Sequence, residues 1–194
     1  PRDIEPFLTH LAVEKHVAIN TQKTALNALV LLFREFLGLD VGQLDFGKAS
    51  RPRKLPTVLS QVEATAVIQR LTGVHKLIVQ LMYSGGLRLM EAVRLRVKDV
   101  DFSQSGLMVQ GTKGGKPRRT LLPRSLVLVL DGQIVVTCQQ HQDDLAAGFG
   151  RVYLPDALAR KYPNASQEPG WQYLFPADHL SVDPRSGVER RHHL

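Results

Sequence analysis

The chain is 194 residues long, 43% hydrophobic and formally +7 at pH 7, enough material for one full core and a second small one. No apolar run approaches the roughly 18 residues of a membrane span, and the lone cysteine, Cys138, excludes an internal disulfide and a thiolate zinc cluster. A protein without membrane spans, in a reducing, cytoplasmic setting, is expected. With Pro1 first, all three methionines internal and no signal-peptide pattern, the start reads as a cut.

In chain order, Ile4, Phe7, Leu8 and Leu11 recur at helical spacing. Asn20-Thr21 are placed to cap a second helix carrying Ala25, Leu29, Leu32, Phe33 and Phe36 on one face, and Gly38 ends it. From Gly38 to Pro56 the mixture of Gly, Asp, Ser and the cluster Arg51-Pro52-Arg53-Lys54 has the composition of an exposed linker. The expected division is therefore a helical domain over 1–50, a linker over 51–59 and a second domain over 60–194. Ser60-Gln61-Val62-Glu63 is a capping box opening a helix. Val74 to Tyr83 and Leu87 to Arg94 read as helices on either side of Ser84-Gly85-Gly86.

Leu107 to Gln110 and Arg118 to Leu122 read as short strands joined by the glycine-rich turn Gly111-Thr112-Lys113-Gly114-Gly115-Lys116. Leu126 to Val136 has two readings: Asp131-Gly132 suits a β-hairpin, whereas the amphipathic continuation to Ala147 suits a helix, and the helix is preferred. Pro155 to Tyr162 reads as a short helix, Trp171 to Phe175 as an apolar strand, and Ser181 to Leu194 as polar and irregular. The fold class is mainly α with a small antiparallel β-hairpin or sheet, an α+β arrangement.

Charge is unevenly placed. Between Arg51 and Leu126 stand 14 Lys+Arg against 4 Asp+Glu, while both flanks are slightly acidic. Such a block is the footprint of a polyanion binder, or else a solvated surface. Inside it, a glycine-broken helix end places Arg88 at the start of a new helix, where a guanidinium can grip two phosphate oxygens. Glu91, three residues on, shares its face and can hold it. Lys113 follows at the hairpin tip. Taken singly, these are also an ordinary helix pair and a solvated turn lysine.

Together they resemble the catalytic domain of the tyrosine recombinases, whose pattern is a Gly-Leu-Arg-x-x-Glu turn and a Gly-Lys-Gly-x-Lys-x-Arg hairpin. Here the motifs read Gly86-Leu87-Arg88-Leu89-Met90-Glu91 and Gly111-Thr112-Lys113-Gly114-Gly115-Lys116-Pro117-Arg118, with Thr112 as an extra spacer and Pro117 in place of a polar residue. The resemblance implies that Arg88 is a catalytic arginine supported by Glu91 and that Lys113 is the catalytic hairpin lysine, Lys116 being the alternative. It implies a partial helical core-binding domain followed by an incomplete catalytic domain, with Arg51, Arg53, Lys54, Lys116, Arg118 and Arg119 facing DNA.

The run from Gly150 to Ala165, Gly170 to Pro176, Asp183 to Gly187 and Arg190-Arg191-His192-His193 is similar to the insertion of the integron integrases, here about 150–193. In that family the insertion recognises bases flipped out of a folded single strand. Trp171, Pro184, His192 and His193 correspond by position to those contacts, and aromatic and imidazole faces do stack on unpaired bases. Without the resemblance, Trp171 reads as a core residue and His192-His193 as a solvated pair or weak metal site.

The resemblance further implies strand exchange through a 3′-phosphotyrosyl link, in a parent that integrates and excises gene cassettes as a tetramer on duplex and folded single-stranded sites in a bacterial cytoplasm. No cofactor, metal or membrane is called for. A second arginine and the nucleophilic tyrosine are expected downstream of Leu194, so the chain as given is expected to bind DNA without cleaving it. Gly42 to Lys48 has P-loop spacing, but Ala49 stands where Ser or Thr would hold magnesium and a helix precedes it. The remaining alternatives are a generic phage- or chromosome-type tyrosine recombinase, a type IB topoisomerase and a DNA-binding module without catalysis.

Overall fold

In the computed structural model, which describes residues 3–50, 56–110, 116–184 and 186–194, the chain divides into two units, Pro1–Val58 and Leu59–Leu194. The fold is mainly helical with small antiparallel sheets. None of the described helices is long and apolar enough to cross a membrane.

The first unit pairs α1 (Ile4–Val13) with α2 (Ile19–Leu31), which runs on through a π-helical turn at Leu32–Phe36. Ile4 and Leu8, one helical turn apart, are buried. The cap of α2 is Ala18, whose carbonyl takes the amides of Thr21 and Gln22, so Asn20 and Thr21 lie inside the first turn. The expected apolar face of α2 is only partly covered, with Phe36 78% exposed. The linker reading gives way over 45–49, because this irregular segment is bound to the helices. Buried Gln22 donates to Leu8 O (2.9 Å) and Gly47 O (2.6 Å) and accepts from Ala49 N (2.9 Å). Thr9 Oγ1 accepts from Gly47 N at 3.0 Å and Glu5 from Asp45 N at 2.8 Å.

In the second unit, Ser60 and Glu63 form the reciprocal capping box of α3 (Gln61–Arg70). The next helix, α4 (Gly73–Gly85), ends at Gly86, whose φ of +61° is the left-handed conformation glycine adopts without strain. After α5 (Leu89–Val93) and a 3-10 turn (Val97–Asp99), a sheet forms from β1 (Val100–Asp101), β2 (Gly106–Val109) and β3 (Arg118–Leu121), with Leu107 opposite Thr120 and Val109 opposite Arg118.

Residues Val127–Ala146 form one helix, α6. A strand would have put Leu126, Leu128 and Leu130 on one side. Instead Leu126 and Leu130 are buried and Leu128 is 84% exposed, and the buried positions continue at helical spacing through Thr137, His141 and Asp144. Leu81, Leu107, Leu130, Leu174 and Phe175 lie at the centre of the core.

The C-terminal third differs most from its sequence pattern. α7 (Asp156–Lys161) is the expected short helix, but Trp171 to Phe175 is not a strand. It leaves a 3-10 turn (Pro169–Trp171) and touches its neighbour through a single bridge, Tyr173 with Arg96. The bridge consists of Leu174 N donating to Leu95 O at 2.8 Å and Val97 N to Gln172 O at 3.1 Å, and beyond it Thr137 Oγ1 donates to Leu174 O at 3.0 Å.

Conversely, the polar stretch read as irregular contributes to a hairpin, β4 (Pro176–Val182) with β5 (Glu189–His193), whose register is interrupted between Pro176 and Leu180. Arg191 fills the irregularity, donating to Ala177 O (2.7 Å), Asp178 O (2.8 Å) and both Asp144 oxygens (2.7 Å each). Hydrogen bonds from a guanidinium, rather than apolar alternation, tie this hairpin to α6.

Gln22→Ala removes a buried amide and strands its partners in the first unit, at a cost of about 1–3 kcal/mol. Denaturant melts should register that loss, and hydrogen exchange at the Ala49 amide should speed up. An Ala49 amide as protected as in the wild type would show that the 45–49 segment is held by something else.

Candidate functional site

Gly86 turns the chain out of α4 so that Arg88 becomes the N-cap of α5 and Glu91 its third residue. The Glu91 carboxylate accepts the Arg88 amide at 2.9 Å and the Arg88 Nη1 at 2.8 Å, the arrangement an N3 carboxylate favours. From β3, Arg118 reaches the same carboxylate in a fork, Nη1 to Oε1 and Nη2 to Oε2 at 2.9 Å each, and Nη2 also donates to Gly86 O at 3.0 Å. Glu91 is buried. Hydrogen bonds from Arg118 first, then from the Arg88 amide, hold its carboxyl down to about 2 against the opposing effect of burial. One carboxylate thus holds two guanidinium groups, leaving net positive charge, while the Arg88 side chain stays 64% exposed. A tetrahedral oxyanion is the natural complement of such a fork.

The other basic residues separate. Arg119 points to the opposite face of the sheet, onto Gln104 and, at 3.9 Å, Asp101. Lys116 is exposed. Lys113, Arg51, Arg53 and Lys54 lie outside the described residues.

Trp171, Pro184, His192 and His193 all line one cleft of about 510 Å³, which also meets Glu91 and Arg94. Its floor is set by Arg96, whose guanidinium donates to Trp171 O and to Tyr153 O (2.8 Å) and lies 4.6 Å from the Tyr173 ring centre. Burial pushes its pKa down from the ordinary arginine value. Trp171 is half-buried. His193 is packed edge-on against Tyr173 and accepts from Arg94 Nε at 3.4 Å. Burial first of all lowers the His192 pKa, which favours the neutral ring, and its Nε2 is buried without a hydrogen-bond partner among the described residues.

Among the described residues no group of three His, Cys, Asp or Glu is placed to hold a metal ion. The chemistry on offer is a guanidinium fork for an oxyanion beside a half-apolar cleft for a planar group. Arg94 and Arg96 were not singled out by sequence reasoning. The one available signal was their alternation about buried Leu95.

Residues 1–43 match the family described as phage integrase, N-terminal SAM-like domain, and residues 54–167 match the phage integrase family. Over 193 residues the chain is 40% identical to an integrase/recombinase of Escherichia coli, which covers 99% of this chain and 57% of that protein. Tyrosine recombinase XerA of Pyrococcus horikoshii is 31% identical over 131 residues, 67% of this chain and 45% of that one. The XerH site-specific recombinase bound to a palindromic difH substrate, in a post-cleavage complex, superposes with a TM-score of 0.51 at 20% identity, over 68% of this chain and 42% of that chain, a likeness of fold. The chain spans about half the length of the curated relatives it matches.

Glu91→Gln should destabilise the second unit by about 1–3 kcal/mol at neutral pH, since two guanidinium groups lose their anion. Because the folded-state pKa of about 2 lies below the ordinary 4.5, the carboxylate's contribution is full above about pH 4.5 and is lost as pH falls toward 2. The stability gap between wild type and variant should therefore close across that window in denaturant melts. A gap of constant size would overturn the assignment of the low pKa to Glu91.

Proposed function

We propose a function from the premise that the chain belongs to the phage integrase family, the tyrosine recombinases: it is the part of a site-specific DNA recombinase that grips the reacting phosphodiester and reads the strand beside it. The observation that carries this reading is the exposed Arg88 guanidinium held by buried Glu91 together with Arg118. In the reaction a tyrosine oxygen attacks the phosphorus and the 5′-oxygen leaves, giving a 3′-phosphotyrosyl link. Arg88 stabilises charge on the non-bridging oxygens, Glu91 and Arg118 position it, and a hairpin lysine, Lys113 or Lys116, protonates the leaving oxygen. Arg51, Arg53 and Lys54 supply further phosphate contacts from the basic block, whereas Arg119, tied to Gln104 on the opposite face of the sheet, does not join them. No cofactor is needed, since the covalent link conserves the bond, and the setting is cytoplasmic.

The finer reading is an integrase of the integron type, which exchanges gene cassettes as a tetramer on duplex and folded single-stranded sites. It is supported by the convergence of Trp171, Pro184, His192 and His193 on one cleft that meets Glu91 and Arg94. A generic phage- or chromosome-type recombinase would use the same arginine site, and the family matches fit it equally well.

The 194-residue chain alone should bind DNA with log affinity falling steeply against log salt, and should leave no covalent adduct on a nicked suicide substrate in a denaturing gel. A flat salt response would remove the phosphate-binding surface, and a shifted band would mean that one of Tyr83, Tyr153, Tyr162 and Tyr173 is the nucleophile.

In a longer protein carrying the tyrosine, Arg88→Ala should abolish recombination on duplex and folded-strand sites alike while largely sparing binding. Trp171→Ala and His192→Ala should weaken folded-strand binding selectively, by about 1–3 kcal/mol per stacked base or ten- to a hundredfold. Melting curves must accompany these, because truncating a partly buried tryptophan also threatens the fold. Equal losses on both substrates in well-folded variants would leave the generic recombinase as the better reading.

A further inference from the structure

We propose that Lys98 is a specificity-determining residue that gates the stacking face of Trp171, so that an unpaired nucleobase enters the cleft only by moving the ammonium aside. The inference rests on the reading of Trp171 as a base-stacking residue. Lys98 Nζ lies 4.0 Å from the centre of the Trp171 ring, nearer than the Arg96 guanidinium at 5.7 Å, and Lys98 and Trp171 line the same cleft. Stacked planes approach to about 3.5 Å, so an ammonium and a base cannot share that face.

The backbone under Lys98 is fixed. Arg96 N donates to Asp99 Oδ2 at 3.0 Å, Asp99 N to Arg96 O at 2.9 Å and Val97 N to Gln172 O at 3.1 Å. The side chain, 35% exposed, is held more loosely: its other partner is Asp99 Oδ1 at 3.7 Å. That buried carboxylate lies near the ammonium while it is over the ring, so a short swing toward Asp99 takes the ammonium off the ring without losing its counter-charge. A stacked base makes a stronger contact with an aromatic ring than a partly solvated cation does. A base therefore displaces Lys98 where water does not, and the displaced ammonium stays within reach of the incoming nucleotide's phosphate. Duplex DNA, with no unpaired base to offer, leaves the gate shut.

Trp171 is the single tryptophan of the chain, so its fluorescence reports on this site alone. The wild-type chain is compared with Lys98→Met, similar in length and uncharged, and with Lys98→Arg, which keeps a cation over the ring. The probes are a hairpin oligonucleotide carrying one unpaired adenine and its fully paired counterpart, with melting curves confirming that each variant is folded.

In free Lys98→Met, Trp171 should be more open to acrylamide quenching than in the wild type. The unpaired-adenine hairpin, and not the paired one, should quench emission in all three proteins. The ratio of affinities, unpaired over paired, should rise about two- to fivefold in Lys98→Met and stay at the wild-type value in Lys98→Arg; taking the ratio cancels the general loss of a phosphate-binding charge. Quenching in all three with an unchanged or lower ratio in Lys98→Met, or an equal rise in Lys98→Arg, overturns the gate and leaves the reading of Trp171 standing. Absence of quenching by the unpaired-adenine hairpin in every protein overturns that reading and the gate with it.

Discussion

A carboxylate taken out of water must find its compensation in the protein, and the arrangement of the second unit around the Arg88 site follows from how Glu91 meets that requirement. Its two oxygens accept from the Arg88 amide and side chain and from both arms of Arg118. Those four bonds join the turn after α4, the start of α5 and strand β3. A five-residue helix has little stability of its own. Here it is held by buried Ala92 and Val93 on one side and by this charge cluster on the other. The same geometry leaves Arg88 oriented yet exposed, the condition for a guanidinium to act on a ligand instead of serving as a structural tie.

Other arginines of this unit are consumed as ties. Arg96 spends its donors on the backbone of Tyr153 and Trp171, and Arg191 joins Asp144 to two strand carbonyls. In each case a planar fork satisfies several acceptors at once, which a lysine's point charge would not do. The Arg96 tie supplements the single bridge of the Trp171 to Phe175 segment, and an irregular backbone carries Trp171 into the cleft while Leu174 and Phe175 fill the core.

The two parts of the site relate differently to the family. An arginine fork for a phosphodiester suits any tyrosine recombinase, because the charge that develops on the reacting phosphate is the same whatever the sequence around it. The cleft beside it suits a task that varies, since planar, half-apolar walls discriminate by the presence of an unpaired base rather than by charge. The arginine fork and the half-apolar cleft are thereby adjacent but chemically separate.

What the sequence by itself determined were features decided within one element or one turn. The Ser60 capping box, the left-handed turn at Gly86, the Arg88–Glu91 pair three residues apart and the β2–β3 pairing each rest on local spacing and backbone preference. The helical burial of α6 was legible for the same reason once its continuation past Val136 was weighed. Only the tertiary structure decided that Arg118 joins Arg88 on Glu91 while its neighbour Arg119 faces away, that Arg96 and Lys98 attend Trp171, and that Pro176–Val182 and Glu189–His193 pair. Those outcomes depend on which polar groups long-range packing brings within about 3 Å of one another, and hydrogen-bond partners far apart in the chain leave no period in the sequence.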